Sequence, residues 1–233
     1  MAADTRLFTD GQLETLKWIA MASMFVDHVG RHLLGWGQET WVFAVGRLAF
    51  PLFAIVLGLN LAREGDRAGR SARTARRLAL WCAVAVIPSV WARGEPWLVN
   101  VLGTLALGAA LCWTVVSDRS AVLRLGVCLA AAAASLRVEF GPVGVFLVTA
   151  TFLVASRRSA GLAVMALLML LATAQQNASF GGLPALAGTL ACLPLMLALR
   201  QLPVSVPRWP LAFYGVYPLH LLVIGALKPL QPA

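Results

Sequence analysis

The sequence predicts an all-α integral membrane protein, a helical bundle of about nine transmembrane helices with a cytoplasmic N-terminus and a periplasmic C-terminus. Composition, the spacing of apolar runs and the sidedness of charge predict it. The 233 residues are 60% hydrophobic and 12% charged, with a mean hydropathy of +0.79. A soluble chain is about a quarter charged and about half apolar. This chain has too little polar surface for a compact cytosolic enzyme, a disordered tail or a disulfide scaffold. A span takes about 20 apolar residues, so the length accommodates about nine spans and no separate soluble domain. Residues 1–233 read as one transmembrane domain.

The first span, 13–34, serves as its own insertion signal, because Met1 to Asp10 lacks an apolar stretch and cleavage site. The second, 41–62, contains Arg47 and Pro51. The segment 63–77 is the one long connection. Spans at 78–93, 98–116, 121–136, 141–155, 159–174, 183–200 and 209–228 follow. Those at 141–155 and 159–174 are short for a bilayer. Pro51, Pro88 and Pro218 lie inside spans, where each is expected to kink its helix. No linker, repeat or low-complexity tract interrupts the series.

With the N-terminus inside, the cytoplasmic cations are Arg6, Lys17, Arg63, Arg67, Arg70, Arg73, Arg76, Arg77, Arg119, Arg124, Arg157, Arg158, Arg200 and Arg208. The outer set is Arg31, Arg47, Arg93, Arg137 and Lys228. This asymmetry satisfies the positive-inside rule, and helical rather than alternating-strand spans favour the bacterial inner membrane. Membrane topology therefore accounts for the net charge of +9, and nucleic acid is not an expected partner. All eight tryptophans fall near predicted span ends. The four cysteines, Cys82, Cys112, Cys128 and Cys192, lie inside apolar runs and read as small core residues.

The segment 63–77 supports two readings. It is a topology anchor touching anionic headgroups, or a phosphate clamp for a cytoplasmic cofactor. Arg63, Arg67, Arg70 and Arg77 share one face at helical spacing, and arginine suits bidentate phosphate contacts.

An ionisable group inside a span costs about 2.5–3.5 kcal/mol and marks a candidate functional site. Asp27 and His28 lie late in the first span, Arg47 early in the second and His220 in the last. All four fall in the outward half of the membrane, with Asn100, Arg137 and Glu139 at span ends on that side. This clustering predicts one cavity open to the outside. Structural readings stand beside it. Asp27 can pair with Arg31 or Arg47, and His220 can hydrogen-bond a neighbouring helix. His28 and His32 share a helical face, but three histidines in the chain give little basis for a metal site, and none is expected. Asp27 and His28 diverge by about 100° on their helix, so a carboxylate orienting His28 has to come from elsewhere, for example Glu139. Asn177-Ala-Ser179 matches a glycosylation sequon, a weak signal.

Five motifs in order carry a resemblance. They are Leu16-Lys-Trp-Ile-Ala-Met with Asp27-His28-Val-Gly30; Gly46-Arg47-Leu-Ala-Phe-Pro51; Asn100-Val-Leu-Gly-Thr-Leu; Glu139-Phe-Gly141-Pro-Val-Gly144; and Tyr217-Pro-Leu-His220. From about residue 14 to 228 the chain resembles the TraX family of conjugation-linked membrane proteins, which includes TrbP-type members. The resemblance implies an acyltransferase that acetylates the N-terminal amine of a pilin subunit with acetyl-CoA as donor. One departure is the run Ala85-Val86-Ile87-Pro88, where the family often carries a polar pair before the proline. If that pair contributes to acceptor binding, the acceptor here differs.

Under that implication His28 is the base or acyl acceptor, because an α-amine near pKa 7.7–8 needs a base near neutrality. Arg47 or Asn100 meets the oxyanion, Asp27 holds Arg47 or the amine, and His220 is a second proton carrier. Asn100, Glu139 and Tyr217 line the acceptor side, and Arg63, Arg67, Arg70 and Arg77 take the donor phosphates. The alternatives are a glycan or other small acceptor, a non-catalytic pilus-assembly factor, and a small transporter with a proton relay.

Overall fold

A computed structural model describes residues 7–204, 206–209 and 212–228. Arg6, one of the predicted cytoplasmic cations, lies outside them with the rest of residues 1–6, as do residues 210 and 211 of the last predicted span. The described residues are helical throughout, apart from short connections and one isolated bridge between Val99 and Val138.

Helix α1, Asp10–His32, starts on a capping box in which Thr9 and Gln12 bond each other's backbone N–H. Asp10 in its first turn and Arg31 in its last complement the helix dipole. The predicted span 41–62 is two helices, α2 at Trp41–Gly46 and α3 at Ala49–Leu61. The break at Arg47 and Leu48 precedes Pro51, which lacks the N–H that would bond the Arg47 carbonyl. Pro51 thus sits in a first turn rather than at a mid-helix kink.

Helix α4, Arg67–Arg93, extends farther than the predicted 78–93. The arginine segment is mostly helix, not loop, because the Asp66 carboxylate caps it by accepting from Gly69 N–H. That bond holds Asp66 below the usual carboxylate range. Helices α5 (Val101–Val116), α6 (Ala121–Ser135) and α7 (Gly141–Arg157) follow the predicted spans closely.

Helix α8, Ala160–Leu190, is broken at Gly181 and Gly182, and α9 (Cys192–Arg200) and α10 (Ala212–Leu227) complete the chain. Gly182 has φ 61° and ψ −153°, a conformation that glycine alone adopts readily. Asn177 Nδ2 donates to Thr189 Oγ1 at 2.8 Å across the break. In a straight helix these residues would stand about 18 Å apart, so the chain doubles back here. Asn177 is buried in this contact.

Among the described residues, three helical stretches are long and apolar enough to cross a bilayer: Trp41–Leu61, Arg67–Arg93 and Ala160–Arg200. Four further apolar helices, α5, α6, α7 and α10, run 15–17 residues. Leu80, Ile87, Leu125, Leu129, Val164 and Leu168 point outward from α4, α6 and α8. Apolar residues outside as well as inside are the signature of a helical membrane protein. The core lies between α1, α3, α5 and α7, around Leu16, Ala20, Leu52, Ala109 and Val148. Cys82, Cys112 and Cys192 are buried there as unpaired thiols.

Candidate active site

Four of the predicted residues meet in two pairs, Asp27 with Arg47 and His28 with His220. Arg47, at the break between α2 and α3, reaches back to α1, and its Nη2 lies 2.6 Å from Asp27 Oδ2. The Asp27 side chain is 3% exposed and that of Arg47 13%. The Arg47 guanidinium also stacks over the Phe43 ring at 4.1 Å. Gly46 permits this approach: a Cβ there would stand 2.3 Å from the Asp27 Cβ. Asp27 therefore pairs with Arg47, the cross-helix alternative of the two. Asp27 Oδ1 and Arg47 Nε are buried with no hydrogen-bond partner.

One position along α1, His28 Nδ1 lies 2.7 Å from Nε2 of His220 on α10. The ring centroids are 5.0 Å apart with planes 11° from parallel. The rings therefore meet edge to edge in nearly one plane. The other nitrogen of His220, Nδ1, is 3.1 Å from the Val216 carbonyl. The neighbouring helix that His220 bonds is thus α1, through His28.

The other predictions are redistributed. Glu139 does not reach His28; its Oε2 is 3.0 Å from Arg93 Nη1, and Arg93 Nη2 donates to Ser89 Oγ at 2.6 Å. His220 fills the place expected for Glu139. Asn100 caps α5 by accepting from Leu102 N–H and ties it to α4 by donating to the Cys82 carbonyl at 3.0 Å. Both ends of its amide are thereby committed to structure. Tyr217 is buried one turn before His220, with ring centroids 5.5 Å apart.

The four arginines do not share one face. Arg63 precedes α4 and pairs with Asp10. Arg67 Nε and Arg70 fold back on α3, and Arg70 donates to the carbonyls of Arg63 at 2.7 Å and Glu64 at 2.9 Å. Arg70 also reaches the Asn60 and Leu61 carbonyls left over in the last turn of α3, at 3.4 Å each. Arg77 lies over the Tyr214 ring at 5.7 Å.

A cavity of about 260 Å³ opens among Lys17, Asn60, Arg70 and Arg77 and runs inward past Met21, Phe53 and Leu105 to Met24, Val101 and Tyr217. A second, of about 330 Å³, adjoins it through Lys17, Asn60 and Arg70 and adds Asp10, Glu14, Arg63 and Arg208. Both lie on the arginine side of the histidine pair, whereas the expected cavity opens toward Glu139. Sequence reasoning misses Lys17, Asn60 and Glu14 because they sit at span ends, where polar residues attract no notice. Glu14 is nevertheless buried, with Lys17 Nζ at 2.5 Å. Arg93, which reads only as an outer cation, carries a signal in Ser89 one turn earlier. Among the described residues, no three His, Cys, Asp or Glu side chains gather as a metal site would require.

The TraX protein family matches residues 12–228. Protein TraX of Escherichia coli is 30% identical over 229 residues, covering 95% of this chain and 89% of that protein. Protein TraX of Escherichia coli strain K12 is 37% identical over 116 residues, 46% of this chain and 42% of that protein. No solved structure matches. With the family covering nearly the whole chain and a relative 30% identical over 95% of it, the chain belongs to the TraX family.

Proposed function

We propose that this chain is a nine-span protein of the bacterial inner membrane, N-terminus cytoplasmic and C-terminus periplasmic. It transfers an acetyl group from acetyl-CoA to the N-terminal amine of a conjugative pilin subunit. The observation that carries the reading is a cavity with cations at its mouth that runs inward toward the level of the histidine pair without being lined by it. Its inner residues Met24 and Tyr217 each lie one helical turn before His28 and His220. Lys17 at the mouth is eleven residues from His28 on α1, about 16 Å along the axis. An extended pantetheine arm covers that length with its phosphates outside among Lys17, Arg63, Arg70 and Arg77. The doubled-back α8 and the sidedness of the arginines support the span count and orientation.

The chemistry follows from the residues present. The acceptor nitrogen attacks the thioester carbonyl carbon while its proton passes to His28. The C–S bond then breaks, and the departing thiolate takes that proton. Arg47 Nε–H, unpartnered and buried, supplies a donor for the developing oxyanion. Asp27 holds the guanidinium in place. The test is transfer of radiolabel from acetyl-CoA to purified pilin by the full chain in nanodiscs. Label on the pilin amine with wild type and none with His28→Ala is the expected result. No label with either removes pilin as the acceptor, and label with both removes His28.

A further inference from the structure

We propose that His220 is a positioning residue, whose task is to hold His28 in the tautomer that leaves Nε2 unprotonated. This deepens the acyl-transfer reading and rests on it for the kinetic consequence only. The oxygen of Val216 only accepts hydrogen bonds, so His220 Nδ1, 3.1 Å away, carries the proton of that contact. In a neutral imidazole the other nitrogen is then an acceptor. That nitrogen, His220 Nε2, lies 2.7 Å from His28 Nδ1. His28 Nδ1 must therefore be the donor, and its lone pair is placed on Nε2. Each step leaves one choice, and the direction of the chain is set by a backbone group that cannot titrate.

The surroundings keep the chain in register. His220 lies between the rings of Phe25, at 4.7 Å between ring centroids and 74° between planes, and of Tyr217, at 5.5 Å and 66°. Both histidines are buried. The near-coplanar rings align the Nδ1–H of His28 with the lone pair of His220, the geometry a strong hydrogen bond requires. Among the described residues no carboxylate bonds His28: Asp27 pairs with Arg47 and Glu139 with Arg93. A neutral imidazole in place of a carboxylate sets the tautomer while adding no charge to a buried site.

The test reads the tautomer directly. The full chain in lipid nanodiscs, labelled with nitrogen-15 in its histidine rings, is followed by NMR, and signals are assigned with His32→Gln and His220→Gln. The expected result is His28 protonated at Nδ1 and bare at Nε2 in the wild type. In His220→Ala the signal shifts toward the Nε2–H form, which unconstrained histidine favours. His220→Gln, whose side-chain oxygen accepts a hydrogen bond, retains the wild-type form. In the transferase assay, His220→Ala lowers kcat by about 10²-fold or more with the KM for acetyl-CoA unchanged, and His220→Gln recovers part of the loss. A wild-type His28 protonated at Nε2, or a tautomer unmoved by His220→Ala, overturns the proposal. So does a His220→Gln variant no better than His220→Ala. The NMR result needs no substrate, so a chain with the expected tautomer and no transferase activity refutes acyl transfer alone.

Discussion

Replacing one member of the Asp27–Arg47 pair leaves a buried charge without its partner. The separation of 2.6 Å gives a gross attraction of about 6 kcal/mol at an effective dielectric constant of about 20. Desolvation of both ions offsets much of that, so the pair adds little relative to an apolar couple. Removing a single partner costs more, about 3–5 kcal/mol, because the remaining charge stays desolvated. Asp27→Asn leaves the Arg47 guanidinium with its stacking on Phe43 but no counter-charge. Arg47→Gln leaves the carboxylate, and the double variant removes both charges while keeping two hydrogen-bonding groups. We expect the double variant to be more stable than the sum of the single losses by about 2 kcal/mol or more. Reversible unfolding by SDS in mixed lipid–detergent micelles, followed by tryptophan fluorescence, measures all three. Losses that add to within about 0.5 kcal/mol would refute the coupling and with it the reading of Asp27 as the anchor of Arg47.

Two further outcomes are expected. Gly182→Ala forces a Cβ into a backbone conformation that costs about 1–3 kcal/mol; the same unfolding assay should show that loss, and an unchanged midpoint would contradict the hairpin geometry at Gly181–Gly182. Asp10 pairs with Arg63 and with Arg208 at the rim of the outer cavity. Asp10→Asn is expected to lower the KM for acetyl-CoA about two- to fivefold, the equivalent of one exposed ion pair. Steady-state kinetics at low salt read this, and a raised KM would mean that Asp10 orders the arginines rather than competing for them.

Hydropathy and charge make the depth of each polar residue legible in the amino-acid sequence. Asp27, His28, Arg47 and His220 are expected at one level and are found there as two pairs, Asp27 with Arg47 and His28 with His220. Depth says nothing of azimuth. The direction in which each helix turns its polar face is set by packing with distant segments, and α10 lies against α1 and α4 although it comes last in the chain. Level alone therefore assigns Glu139 to His28, while rotation about its own segment gives it to Arg93. The arginines show the same gap. Their helical spacing is real from Arg67 onward, but Arg70 turns to carbonyls in the last turn of α3 and in the segment that follows it. No local signal announces such a contact, because its acceptors belong to another element. The break at Gly181–Gly182 falls in the connection that the sequence places between the spans 159–174 and 183–200, whereas the break before Pro51 carries a marker in the proline but lies between runs apolar enough to mask where a helix stops.

The most direct test of acyl transfer is the intact mass of the cognate pilin from cells carrying the wild-type chain, a deletion, or His28→Ala. The account predicts one acetyl group on the pilin amine in the wild type and none in the other two. An acetylated pilin in the deletion strain would contradict it.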